Sequence, residues 1–137
     1  MKKFKFLEHT ADLKFLAFGK TLEEVFKNSA LAMFNAMHDG EVKKSKKIRI
    51  KVTGKDFESL LYNFLEEFLI LFDTEGFFLS KIRNIKIDSK KFKLEAEAIG
   101  DNAKNYETHI DVKAVTYSEM FVRREEGVWR AQVVLDV

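Results

Sequence analysis

The chain has 137 residues, 46% hydrophobic and 34% charged, which suits one domain with a single core and an ordinary globular balance. It contains no cysteine, which excludes disulfides, thiolate metal sites and cysteine nucleophiles and fits a reducing, cytoplasmic setting. A formal net charge of +2 is too mild to mark a nucleic-acid binder.

No apolar run approaches the ~20 residues of a membrane helix. Met1-Lys2-Lys3-Phe4-Lys5 lacks the apolar core and cleavage site of a signal peptide. Fourteen phenylalanines against one tryptophan predict a core that rests on aromatic burial.

Phe4 and Phe6, then Leu13, Phe15 and Ala17, alternate with polar neighbours and predict two short strands around a His9-Thr10-Ala11-Asp12 break. Thr21 through Asp39 reads as a helix. Thr21 and Glu24 form a capping box, Leu22, Val25, Phe26, Met33, Ala36 and Met37 an apolar face, and Asp39-Gly40 the stop. Lys43, Lys44, Lys46 and Lys47 read as a solvated loop leading into a strand through Ile48, Ile50 and Val52. Asp56 caps a second amphipathic helix, marked by Phe57, Leu60, Leu61, Phe64, Leu65 and Phe68.

Beyond Gly76 the period becomes two. Ile85 and Ile87 are set against Phe92, Leu94, Ala96 and Ala98 across an Asp88-Ser89-Lys90 turn. Ile110, Val112 and Ala114 open another strand. A last hairpin turns at Glu125-Glu126-Gly127 and leads into Trp129, Ala131, Val133 and Leu135. The order implies a single α+β domain over 1–137, with two amphipathic helices packed on mainly antiparallel sheet.

Asp136 falls on the strand face opposite Trp129 and Leu135, with Val137 one residue beyond. If the termini are adjacent in the sheet, Asp12, Asp136 and the Val137 carboxylate converge. Their repulsion then calls for a cation or a basic side chain, and an all-oxygen donor set suits Ca²⁺ or Mg²⁺. The plainer alternatives are solvated acids, an Asp12 that caps its own turn, a His9 that fixes that turn beside Thr10, and a Lys113 exposed on a strand. No Ser-His-Asp order, phosphate-cradling glycine loop, HExxH or paired catalytic glutamates is present. An enzyme reading reduces to a metal-dependent hydrolase using Asp12 and Asp136 with His9 as base.

The segments Glu8-His9-Thr10-Ala11-Asp12 and Gly19-Lys20-Thr21-Leu22-Glu23-Glu24-Val25-Phe26 resemble the opening of the archease family. Leu60 to Glu67, Val112-Lys113-Ala114-Val115-Thr116-Tyr117 and the Asp136-Val137 ending match it in order along the whole chain. The resemblance implies a compact α+β module related to strand-helix-strand-strand domains. It also implies a protein cofactor rather than an enzyme: an activator of an RtcB-type RNA ligase in tRNA splicing that promotes ligase guanylylation and multiple turnover. A chaperone or modulator of a tRNA-modifying methyltransferase is the alternative, with nucleic-acid contact at most indirect.

By motif, Asp12 and Asp136 would be metal ligands, with Val137 giving main-chain or terminal carboxylate oxygen and Ca²⁺ as the ion. Lys113 would be functional, and His9 would lie beside the site. Ser118 stands where many relatives carry histidine, so no imidazole is expected there.

Overall fold

Local chemistry accounts for both helices in the computed structural model, which describes residues 1–9 and 11–137. Helix α1 (Leu22–Met37) begins where the Thr21 hydroxyl accepts the Glu24 N–H at 3.1 Å. The Glu24 carboxylate reaches back to the Lys20 N–H rather than to that of Thr21, so the expected capping box is displaced by one residue. Helix α2 (Phe57–Glu75) has the full reciprocal box. The Ser59 N–H donates to the Asp56 carboxylate at 2.7 Å, and the Asp56 N–H donates to the Ser59 hydroxyl at 3.1 Å. Gly76 ends α2 in the left-handed region, φ +61°, where a residue without Cβ is least strained.

Seven strands join them: β1 (Phe4–Leu7), β2 (Leu13–Gly19), β3 (Lys46–Thr53), β4 (Phe77–Asp88), β5 (Lys93–Asn102), β6 (Ala114–Glu125) and β7 (Val128–Asp136). They form two antiparallel sheets, a four-stranded one in the order β1-β2-β7-β6 and a three-stranded one in the order β3-β5-β4. Each helix touches both sheets. Helix α1 lies on β2 and β7 of one sheet and β4 of the other, and α2 lies on β6 and on β3 and β4. The expected α+β architecture is therefore present, with its sheet divided in two.

The core is Phe-rich as composition suggested. Phe15, Phe26, Phe64, Phe68, Phe77 and Phe78 are fully buried. Phe34 of α1 meets Phe68 of α2 edge-on at 5.9 Å between centroids and Phe78 of β4 at 5.0 Å. Burying each such ring contributes about 1.5–3 kcal/mol, with a further ~1 kcal/mol from edge-to-face geometry. One aromatic seam thus binds both helices to the three-stranded sheet.

Several element boundaries differ from expectation. Helix α1 stops at Met37 instead of Asp39, because His38 is extended and its Nδ1–H donates to the Glu107 carbonyl at 2.9 Å. Strand β4 begins at Phe77, directly after α2. Phe77, Phe78 and Leu79 are all buried, so alternation gives no sign of it. Phe92 lies in the β4–β5 turn at φ +51° and not in a strand.

Strand β6 starts at Ala114, not Ile110. Its first partner is Asp136, at the end of β7, so residues 110–112 have no further backbone in that strand to pair with. Val112 is nonetheless buried in the core. No described helix is long and apolar enough to cross a membrane.

The β4–β5 pair needs close backbone approach at Gly100. A Cβ there would sit 2.0 Å from the Phe78 carbonyl oxygen and 2.8 Å from the Phe77 ring. Gly100→Ala is expected to cost about 3 kcal/mol or more, read as a lower urea midpoint at unchanged slope.

Candidate functional site

Sheet register decides what meets at the chain ends. β2 and β7 run antiparallel with Phe15 opposite Val133 and Leu13 opposite Leu135. One step beyond that last pair stand Asp12 and Asp136. On the far side of β7, Ala114 faces Asp136, and the Lys113 main-chain N–H donates to the Asp136 carbonyl at 2.8 Å. The β2–β7 and β6–β7 registers therefore place Asp12, Lys113, Asp136 and Val137 at one end of the four-stranded sheet. Asp136 and Lys113 are exposed, Val137 is half-buried, and Asp12 is 38% exposed.

The turn that delivers Asp12 carries a left-handed residue, Ala11 at φ +71°, a conformation that costs an alanine about 1 kcal/mol or more. β1 and β2 are antiparallel, and Asp12 stands directly before β2, at the sheet end. Thr10, beside which His9 was expected to fix the turn, lies outside the described residues.

His9 is held from the opposite side of the sheet. Its Nε2 is 2.9 Å from a Glu119 carboxylate oxygen, and the other Glu119 oxygen accepts from Lys14 Nζ at 3.0 Å. His9 Nδ1 is buried, has no hydrogen-bond partner among the described residues, and lies 3.9 Å from Asp12 Oδ2. The imidazole thus links the Asp12 turn to β6 and ties the turn down, in keeping with the plainer reading of that residue.

Sequence reasoning missed Glu119 and Lys14. Glu119 reaches His9 because β6 bulges. Pairing stops at Thr116–Val134 and resumes at Phe121–Gln132, leaving Tyr117 to Met120 displaced, with Glu119 at φ +53°. The bulge is secured at three points. The Thr116 hydroxyl donates to the Val134 carbonyl, the Ser118 N–H donates to the Thr116 hydroxyl, and the Gln132 amide donates to the Glu119 carbonyl. Tyr117 stacks parallel on Tyr62 of α2, 4.3 Å between centroids. Failed alternation across Tyr117-Ser118-Glu119-Met120 is the one sequence signal that could have drawn attention here.

The donor groups at this sheet end are chemically suited to a hard cation: two carboxylates, from Asp12 and Asp136, beside main-chain oxygen of Val137, and no sulfur. Among the described residues, no group of three or more His, Cys, Asp or Glu side chains is placed to hold a metal ion.

Comparison with known proteins adds a family. Residues 4–137 match the model of the Archease protein family. Protein archease from Methanothermobacter thermautotrophicus is 43% identical over 141 residues, covering 100% of both chains. Protein archease from Methanosarcina mazei is 40% identical, covering 99% of this chain and 97% of that one. The solution structure of protein 1598 from Methanobacterium thermoautotrophicum superposes with a TM-score of 0.84 at 40% identity, over 100% of both chains. The crystal structure of an archease from Thermotoga maritima, described as a possible chaperone, has a TM-score of 0.65 at 19% identity over 97% of this chain and 96% of that one, and so shares the fold.

Glu119 carries a pH signature. The His9 hydrogen bond first, then the one from Lys14, hold its carboxyl below the ordinary value of 4.5. A carboxyl depressed in the folded state contributes stability above its unfolded value and loses it as pH falls through its folded one. Glu119→Gln is expected to melt lower than the native chain above pH 4.5, with the difference closing as pH drops below that value, read by thermal scans in a pH series.

Proposed function

The chain belongs to the archease family, and we propose that it works as a protein cofactor of an RtcB-type RNA ligase, promoting ligase guanylylation and repeated turnover in tRNA splicing. The observation that carries this reading is the meeting of Asp12, Asp136, Val137 and Lys113 at one sheet end, the residues that the family motifs single out. These are exposed or half-buried groups at the end of a sheet, an arrangement suited to a role exerted on a partner.

A divalent cation, Ca²⁺ being the one the family suggests, would be held by the Asp12 and Asp136 carboxylates, with main-chain oxygen of Val137 completing the donors. When bound, it offsets the carboxylates' mutual repulsion and presents a fixed positive centre. His9, braced by Glu119, keeps the Asp12 turn in place. The exposed Lys113 ammonium is free to pair with a phosphate or with a carboxylate of the ligase. The module then biases the ligase toward the conformation competent for guanylyl transfer.

Asp12→Ala and Asp136→Ala are each expected to lower stimulation of multiple-turnover ligation by about tenfold or more, while circular dichroism stays native. Lys113→Ala is expected to weaken stimulation without changing cation binding, followed by calorimetric Ca²⁺ titration. Full stimulation by both aspartate variants would refute the proposal.

A further inference from the structure

We propose that the outer face of the β3-β5-β4 sheet is a docking surface for the phosphate backbone of double-stranded RNA, which its two rails of lysine and arginine grip without reading sequence. Register arranges this face in rows across the sheet. The two central rows are Arg49–Glu97–Arg83 and Lys51–Glu95–Lys86. Lys47 and Lys81 flank Ile99 at one end, and Lys93 stands between Thr53 and Asp88 at the other. Seven basic side chains thus share the face with three carboxylates, on a chain whose whole net charge is +2. The positive charge is concentrated here, and the remaining surface is net acidic.

The backbone is shaped to give this pattern. Register shifts on β4 between Leu79 and Lys81 and between Arg83 and Lys86, with Asn84 at φ +53°, turn Lys81, Arg83 and Lys86 all outward, although Arg83 and Lys86 are three residues apart. The glutamates do not cancel the rails. Lys47 and Arg83 lie 3.4 and 3.8 Å from Glu97, and Lys51 and Arg49 lie 3.5 and 3.7 Å from Glu95. These are long, solvent-reached pairs that orient cations more than they neutralise them. Lys81, Lys86 and Lys93 make no ion pair among the described residues. A hollow of about 280 Å³ beyond Ile99 extends the surface, lined by five basic residues and no carboxylate.

Strand spacing sets the rails about 10 Å apart, with cations following at about 7 Å along each. A periodic array of point charges suits a periodic polyanion. A protein partner would need an apolar anchor at the centre of its interface. The large exposed apolar side chains are Met1, Phe6, Ile70 and Tyr117, and none lies on these rows. The rows also carry no aromatic ring on which an unpaired base could stack, which favours duplex over single strand. Choosing RNA over DNA rests on the ligase reading above; the surface itself does not.

The test is fluorescence anisotropy of the purified chain with a labelled RNA duplex of about 20 base pairs in about 50 mM salt. A Kd of about 1–100 μM is expected, weakening about tenfold or more by 200 mM salt. Arg49→Gln, Arg83→Gln and Lys86→Gln combined should weaken binding about tenfold and lower the salt slope by about two to three. Combining Lys2→Gln, Lys5→Gln and Lys20→Gln, the same charge change elsewhere, should leave binding within about twofold. Amide shifts of the native chain on RNA addition should centre on β3, β4 and β5, a readout that needs no variant.

The proposal falls if the native chain does not bind, if both triple variants lose equally, or if the shifts centre elsewhere. It falls equally if polyglutamate competes as well as unlabelled RNA. No ligase is present in the assay, so failure here leaves the cofactor reading standing.

Discussion

The antiparallel pairing of β2 with β7 joins the two ends of the chain, and the rest of the molecule is arranged around it. Phe15, Ala17, Ala131, Val133 and Leu135 on the inner face of this pair are wholly excluded from solvent. A slip of one residue would turn that entire set outward, so the core specifies the register with a large penalty for error. The small Ala17–Ala131 pair sits on the face where α1 packs. Because register is inherited by whatever lies past the last pair, the core also determines that Asp12 ends beside Asp136. Position at the candidate site is thus a product of packing elsewhere.

The outer face of the same sheet is organised by one carboxylate. Glu119, displaced by the β6 bulge, reaches across β7 to Lys14 on β2 and to His9 in the turn. It couples the C-terminal half of the sheet to the N-terminal turn without entering the core. The buried Asp101 acts similarly in the other sheet. Hydroxyls of Ser45 and Tyr106 donate to it and hold its carboxyl well below the usual carboxylate range, which ties the approach to β3 to the segment after β5. Charge is therefore sorted by region: carboxylates at the end of the four-stranded sheet, cations across the face of the three-stranded one.

How much of this the sequence disclosed depends on how local the cause is. Caps and helical spacing are written within a few residues, so Thr21, Asp56 and Gly76 marked α1 and α2 closely. The start of β4 was hidden because Phe77, Phe78 and Leu79 are buried without alternation. The start of β6 was placed too early because burial of Val112 mimics a strand where no partner exists. Asp12 and Asp136 were legible as residue types and by motif, but their proximity depended on a pairing between opposite chain ends that no local pattern encodes. Glu119 and the basic rails were invisible for a related reason. Bulges reset which side chains share a face, and the rails come from segments far apart in the chain.

The order of the strands has a consequence for biosynthesis. β1 and β2 leave the ribosome first, yet the strand that covers the inner flank of β2 is the last to emerge. Until then the β2 edge is open, and Phe15 and Ala17 lack their cross-strand neighbours Val133 and Ala131. Closure of this sheet is a late, long-range event of the kind that slows folding. The nascent N-terminal hairpin must meanwhile avoid pairing with other chains, a hazard to which its Lys5, Lys14 and Lys20 charges are a natural counterweight.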